Sequence, residues 1–407
     1  FFNDYDKSVF EVYCYAYGQE DDYSLDIKNK VDNWRNITEY SYVEIAELIY
    51  QDNIDILVDL AGHSKNNLLP VLAYKPAPIL ISGIGYFNTT GLKSIDYYLS
   101  DIYCENEGLN DKYFSEKMLI LPETHWCYSP LKEFPDINKK NDEYVVFGSF
   151  NNFTKTSDEI LLLWKEILQR VDKSKLVLKS NIFSNDYGVK KISKRLINLG
   201  FDLERVELRP ESRNYLEEYN DINIALDTYP YVGGGTTCEA LYMGTPVITL
   251  VGDRHGSRFG YSILKNIGLD DCIAFSREEY VEKAVALAQD KGRLKYLNIK
   301  IRDIMNNSPV TNSLKYIKAV EKIFIEILAN MFKSQENNNF VKNNTEKYFH
   351  DDFYNNLKEK KYNEILKKLD FYLDIIVTNE ILIDEIMHYI VSNENDENTD
   401  YYINKII

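Results

Sequence analysis

Three consecutive glycines, Gly233, Gly234 and Gly235, run into Thr236, Thr237 and, two residues on, Glu239. Glycines strip Cβ atoms from a turn, so its backbone can approach a bulky anion. Where such a turn opens a helix, the first amide N–H groups lack intrahelical partners and meet the anion with the positive end of the helix dipole. The threonine hydroxyls can add donors, and a diphosphate is the natural occupant. Glu239 is expected in the first turn of the same helix, accepting from ribose hydroxyls, offsetting the dipole, or both. The same pattern also serves a glycine-rich connection capped by threonine that holds no ligand.

A second group follows the apolar run 144–150, where NNFTK puts Asn152 and Lys155 just past its end. Open α/β sheets bind ligands beyond the carboxyl ends of their strands, and a lysine there stabilises a departing nucleoside diphosphate without moving a proton. A lysine ahead of a helix is also an ordinary surface residue. His63 lies in a Gly-His-Ser turn after the run 54–60, as an acceptor-side base or a hydrogen-bonded loop residue. His255 and Arg258, within GDRHGSR, follow the run 247–250. They read as donor contacts, or as a loop histidine and an arginine paired with a nearby carboxylate. His125, His350 and His388 show no metal-ligand spacing and are read as structural or solvent-exposed.

The elements that must position these residues alternate. Between 9 and 127, short apolar runs such as 54–60 and 78–82 alternate with helical patterns such as 46–50, which implies βα units and a parallel sheet. Residues 132–142 (KEFPDINKKND) are polar, carry a proline and lack periodicity, as a linker does. A second series follows, with strands at 144–150, 176–178, 206–208, 222–226 and 247–250 and helices at 158–171, 189–199, 215–219 and 238–242. Further helices run to about Phe332. The expected fold class is α/β, two successive Rossmann-like domains at 1–134 and 143–332, facing a cleft. Residues 333–407 shift to Asn, Lys, Glu and Tyr and read as a linker and a helical tail. Ile365, Leu366, Leu369 and Leu373 mark an apolar stripe there, for an appendage or for docking a partner.

Composition narrows the class. The 407 residues, 44% hydrophobic and 14% aromatic, are enough chain for two cores. A net charge of -17 argues against a nucleic-acid backbone reader, which needs clustered lysine and arginine. No run approaches the roughly 18 apolar residues of a membrane span, and no signal segment opens the chain, so a soluble cytoplasmic protein is expected. Cys14, Cys104, Cys127, Cys238 and Cys272 are scattered, odd in number and without C-x-x-C spacing, and are read as buried free thiols. The chain opens on Phe1 rather than Met and is read as a fragment with its upstream part missing.

Four blocks together carry a resemblance. They are 55–70 (DILVDLAGHSKNNLLP), 75–101 (KPAPILISGIGYFNTTGLKSIDYYLSD), 147–155 (FGSFNNFTK) and 221–250 (DINIALDTYPYVGGGTTCEALYMGTPVITL), the last followed by GDRHGSR. In order and spacing, over roughly residues 1–330, they resemble the catalytic region of the O-linked N-acetylglucosamine transferase family, especially bacterial members related to plant SPINDLY proteins. The resemblance implies a GT-B fold, a UDP-sugar (most simply UDP-GlcNAc) bound between the domains, and metal-independent inverting transfer to protein serine or threonine. It makes 1–134 the acceptor-side domain and 143–332 the donor-binding one. It implies Lys155 at the diphosphate, as a catalytic residue; His63, read from its turn on the acceptor side, is the other candidate catalytic residue. Thr236, Thr237, Gly234 and Gly235 are expected at phosphate, Glu239 at ribose, Asn152 near the donor, and His255 and Arg258 as further donor contacts. Tyr215 stands where the family often has a nucleoside-contacting histidine, and an aromatic ring can stack there. The family's His-Pro motif is expected upstream of Phe1. No metal and no cofactor beyond the nucleotide sugar are expected, since the Asp-x-Asp pair of metal-dependent sugar transferases occurs only as Asp4 and Asp6, ahead of the first strand. Related transferases with other sugars or acceptors, including flagellin, and a non-catalytic subunit supporting a transferase partner stay open.

Overall fold

The computed structural model describes residues 2–338 except 106, 107, 109, 131, 132 and 140–142. The tail stripe at Ile365, Leu366, Leu369 and Leu373, together with His350 and His388, lies outside the described residues. The chain divides into two compact units, the first built from residues up to 100, 111–119 and the chain from 317, the second from 101–110 and 120–316. Segment 120–134, assigned to the first domain from sequence, therefore packs with the second.

In the first unit, strand β1 (Tyr13–Ala16), helix α1 (Asp22–Lys28) and β2 (Asn33–Asn36) form a βαβ unit with parallel strands. Helix α2 (Tyr42–Gln51) starts at a Ser41–Glu44 capping box, which satisfies two orphan amide groups reciprocally, and buries Ile45, Ala46 and Ile49. It leads to β3 (Ile56–Asp59), the short helix α3 (Leu69–Ala73), β4 (Ile79–Gly83), β5 (Tyr97–Asp101) and β6 (Lys117–Leu121). These strands form a sheet in the order β3-β4-β5-β6, with β3, β4 and β5 parallel. The βα alternation expected from sequence holds as far as β4 but not beyond it, since among the described residues no α-helix separates β4, β5 and β6, and the strands are shared between two sheets.

The second unit is a doubly wound sheet. Its elements are β7 (Val145–Ser149), α4 (Asp158–Arg170), β8 (Ser174–Lys179), α5 (Asp186–Asn198), β9 (Val206–Arg209), β10 (Ile224–Leu226), α6 (Gly235–Tyr242), β11 (Val247–Leu250), α7 (Phe259–Asn266), β12 (Ile273–Ala274), α8 (Arg277–Gln289) and α9 (Lys291–Asn306). The long α10 (Ser313–Asn338) follows. The strand order is β12-β11-β10-β7-β8-β9, and every pairing is parallel. Strands buried on both faces read as near-continuous apolar runs, as VITL of β11 does with Thr249 its one polar residue. Side-chain caps from Ser157, Asn185 and Ser276 start α4, α5 and α8, each satisfying an amide that the first helical turn leaves orphaned. One continuous core joins Phe147, Trp164, Leu176, Ile224, Leu241 and Ile248. Residues 215–219 are a turn followed by a 3₁₀ segment (Glu217–Asp221) rather than the expected helix. The described part of the expected linker is pinned to this unit: Lys139 Nζ donates to the carbonyls of Tyr219 (2.8 Å) and Ile222 (3.0 Å).

Winding reverses between β7 and β10. From β7 the chain builds outward through β8 to β9, then returns to the other side of β7 to start β10, β11 and β12. The carboxyl ends of β7 and β10 thus splay their loops apart, the crevice where open α/β sheets bind ligands. Among the described residues no helix is long and apolar enough to cross a membrane.

Candidate active site

Both chemical sequence groups meet at this switch point. The loop after β7 carries Asn151, Asn152 and Lys155, and the loop after β10 carries Asp227 and the glycines that open α6. Ser149, Asn151, Asp227, Thr236 and Thr237 line one small crevice. The loops are tied by Ser157 Oγ, which donates to the Tyr229 carbonyl at 3.0 Å, and by an antiparallel bridge between Thr156 and Pro230. An open depression in the first unit, lined by Gly18, Glu20, Asn36, Thr38 and Tyr40 among others, has no cation in its lining.

Helix α6 begins without a side-chain cap. Gly234 is its N-cap, and Gly235, Thr236 and Thr237 are its first three residues, so threonine does not cap it. The N–H groups of that turn are left to a ligand or to solvent. Thr236 Oγ1 donates to Asn151 Oδ1 at 2.9 Å. Thr237 Oγ1 and Ser149 Oγ are buried with no hydrogen-bond partner among the described residues. Two orphaned hydroxyls beside an uncapped helix start suit an anion rich in acceptor oxygens. A Cβ at Gly233 would overlap the Thr237 hydroxyl and lie 3.0 Å from Thr236 Oγ1, so a side chain there would force the hydroxyls that face the crevice to move.

Charge at the crevice is set by one buried and one half-buried group. Asp227 accepts from Gly233 N (2.8 Å), Thr228 N (2.9 Å) and Thr249 Oγ1 (2.8 Å), which shapes the glycine turn. Burial pushes its pKa up to about 6, against those hydrogen bonds and the charge of Lys155. Lys155 ends a short 3₁₀ turn (Phe153–Lys155), donates to the Val232 carbonyl at 3.2 Å and sits 4.4 Å from the Tyr231 ring centroid. Burial lowers its pKa from the ordinary 10.5, while Asp227 opposes that fall. The result is a half-buried cation anchored on the strand of backbone that leads into the glycine turn.

Other expected site residues are placed differently. Asn152 is exposed and caps the 153–155 turn, its Oδ1 accepting from Thr154 N at 3.1 Å, so the inward amide is Asn151. Glu239 falls in the second turn of α6, not the first, because the helix starts at Gly235; it accepts from the Tyr215 hydroxyl at 2.5 Å. Arg258 donates to the carbonyls of Tyr103 (2.9 Å) and Gly252 (3.2 Å), and His255 is buried against the rings of His125 and Phe259. His63 belongs to the first unit, where Nε2 bonds the Thr90 carbonyl at 2.7 Å. A carbonyl only accepts, so Nε2 carries the proton and Nδ1 holds the lone pair. Sequence reasoning missed Asn151, Ser149 and Asp227. The doubled Asn of NNFTK and an acid closing the apolar run before TYP were the signals for two of them.

With this geometry in hand, likeness to known proteins gains meaning. A profile described as glycosyl transferase family 41 matches residues 3–143 and 136–320. The probable UDP-N-acetylglucosamine–peptide N-acetylglucosaminyltransferase SPINDLY of Solanum lycopersicum is 36% identical over 297 residues, covering 72% of this chain and 32% of that protein. Its namesake from Hordeum vulgare is 36% identical over 332 residues, covering 79% of this chain and 35% of that protein. The chain thus spans about a third of the length of these relatives. A mutant of the Thermobaculum terrenum O-GlcNAc transferase superposes with a TM-score of 0.73 at 31% identity, over 79% of this chain and 62% of that one.

Proposed function

The chain belongs to glycosyl transferase family 41 and has its GT-B type of α/β fold, and from that premise we propose that it transfers N-acetylglucosamine from UDP-GlcNAc to serine and threonine hydroxyls of proteins. The observation that carries this reading is the uncapped start of α6 beside Lys155 at the strand switch point. The acceptor hydroxyl attacks the anomeric carbon from the face opposite the diphosphate, so the configuration inverts in one displacement. As the new C–O bond forms, the bond to UDP breaks, and UDP departs with the electron pair. The α6 amides, the hydroxyls of Thr236 and Thr237 and the ammonium of Lys155 take up the charge that develops on the diphosphate, which removes the need for a metal at that position. Glu239, held by Tyr215, serves the ribose. His63 Nδ1 takes the hydroxyl proton on the acceptor side.

Transfer to a serine-containing protein substrate, assayed with UDP-GlcNAc, UDP-glucose and GDP-fucose in chelator-treated buffer, tests the reading. UDP-GlcNAc is expected to be the productive donor. Turnover with another donor alone, or only after Mn²⁺ is added, would contradict the donor or the metal-free step respectively.

A further inference from the structure

We propose that Cys104, His125 and His255 of the second unit hold a zinc ion, away from the transfer chemistry. All three side chains are buried, and one donor atom of each lies within 4.8 Å of the others. Tetrahedral zinc, with bonds of about 2.3 Å to sulfur and 2.0–2.1 Å to nitrogen, needs donors roughly 3.3–3.6 Å apart, so side-chain adjustments of about 1 Å close the site. A thiol with two imidazoles is a donor set suited to zinc.

The independent sign is His125. Its Nδ1 bonds Asp101 Oδ2 at 2.5 Å, and because a carboxylate only accepts, Nδ1 carries the proton. In the neutral imidazole Nε2 is then the lone pair, and it is fully buried with no hydrogen-bond partner among the described residues. An imidazole oriented by a carboxylate through one nitrogen and bare at the other is how metal-binding histidines are arranged. Asp101 is held in turn by Ser262 Oγ (2.7 Å) and the backbone N–H groups of Tyr103 (2.9 Å), Cys104 (2.8 Å) and His125 (3.0 Å). On binding, Cys104 gives its thiol proton to solvent, and the dication is balanced by one thiolate and the Asp101 carboxylate. Arg258, which donates to the Tyr103 carbonyl, also lies close by, and Glu105, next to Cys104, accepts from Asn110 N at 2.9 Å. Water takes the fourth position.

Zinc here braces three separated stretches: the turn after β5, the segment after β6 and the turn between β11 and α7. The last of these reaches the donor side, since the Gly256 carbonyl accepts from Val232 N (3.3 Å) and the Val232 carbonyl accepts from Lys155 (3.2 Å). The ligands come from positions 104, 125 and 255, so no short motif announces them.

The full chain, stripped with chelator, is titrated with Zn²⁺ alone and, for spectroscopy, with Co²⁺. One zinc per chain, one proton released per zinc, a raised melting temperature and a thiolate-to-cobalt charge-transfer band are expected. Cys104→Ser should abolish the band and weaken zinc binding at least about tenfold, a factor equivalent to 1.4 kcal/mol. His125→Asn should also weaken binding while keeping the band of any cobalt that does bind, and Cys14→Ser should change nothing. Failure of the parent chain to bind stoichiometric zinc, or a band unchanged in Cys104→Ser, would overturn the proposal. Melting of each metal-free variant against the metal-free parent separates lost ligation from lost folding, and His125→Asn decides if Cys104→Ser fails to fold.

Discussion

Lys155 and Asp227 are opposite charges held out of water, and each changes what the other can do. On the proposed reading, Lys155→Ala removes the cation that meets the leaving diphosphate. The loss of one such electrostatic contact lowers kcat by about 10²–10³-fold, with the far-ultraviolet circular dichroism of the variant matching the parent's. Asp227 holds its proton to higher pH in the folded chain than in the unfolded one. Between the ordinary 3.8 and about 6 the folded state therefore binds more protons, and stability falls as pH rises through that window. Asp227→Asn removes this fall, which melting temperatures across that range will measure. The amide can keep the acceptor contacts to Gly233 and Thr228 and turn its NH₂ to Thr249, so the turn survives. Because Asp227 is the carboxylate that keeps Lys155 protonated, the same variant should move the alkaline limb of kcat/KM to lower pH. An unmoved limb would mean that Lys155 does not govern it.

At the scale of elements, strands were more legible than their turns. Val247–Leu250 matches its run residue for residue, because a strand buried on both faces is apolar nearly throughout and its one polar residue, Thr249, is β-branched and spends its hydroxyl on Asp227. The helix expected at 215–219 failed for a related reason: Tyr215 and Tyr219 face Glu239 and the core respectively, but only one short 3₁₀ turn fits before β10. Asn151 and Asn152 were indistinguishable by type, and only the path of the chain after β7 turns the first inward. The glycine turn was readable from three glycines in a row, whereas the buried Asp227 beneath it depended on the sheet. Asp227 is also supported from behind. Trp164 Nε1 of α4 donates to the Tyr280 hydroxyl of α8 at 3.0 Å, which donates to the Asp227 carbonyl at 3.0 Å. Tyr280→Phe strands both partners in a dry core and should cost about 1–3 kcal/mol, measured by denaturant unfolding. A change under half of that would show that water reaches the gap.

Across the whole molecule, the sequence carried the α/β class and the two-part division further than the path of the boundary. A chain that leaves the first unit at residue 100, returns for 111–119 and comes back at 317 has no single linker to find. Each unit was visible through its βα alternation, but membership of 120–134 is decided by packing that no local pattern encodes. The lysine loop and the glycine turn were legible all the same, because both lie in the second unit, on two loops of one sheet. The claim that a nucleoside diphosphate sits on the first turn of α6 is tested most directly by calorimetric titration of UDP into the chelator-treated protein and its Gly233→Ala variant. The account predicts binding to the parent and a Kd raised at least about tenfold in the variant, a loss of 1.4 kcal/mol or more, since the added methyl group overlaps the Thr237 hydroxyl. Equal affinity in a folded Gly233→Ala protein would contradict it.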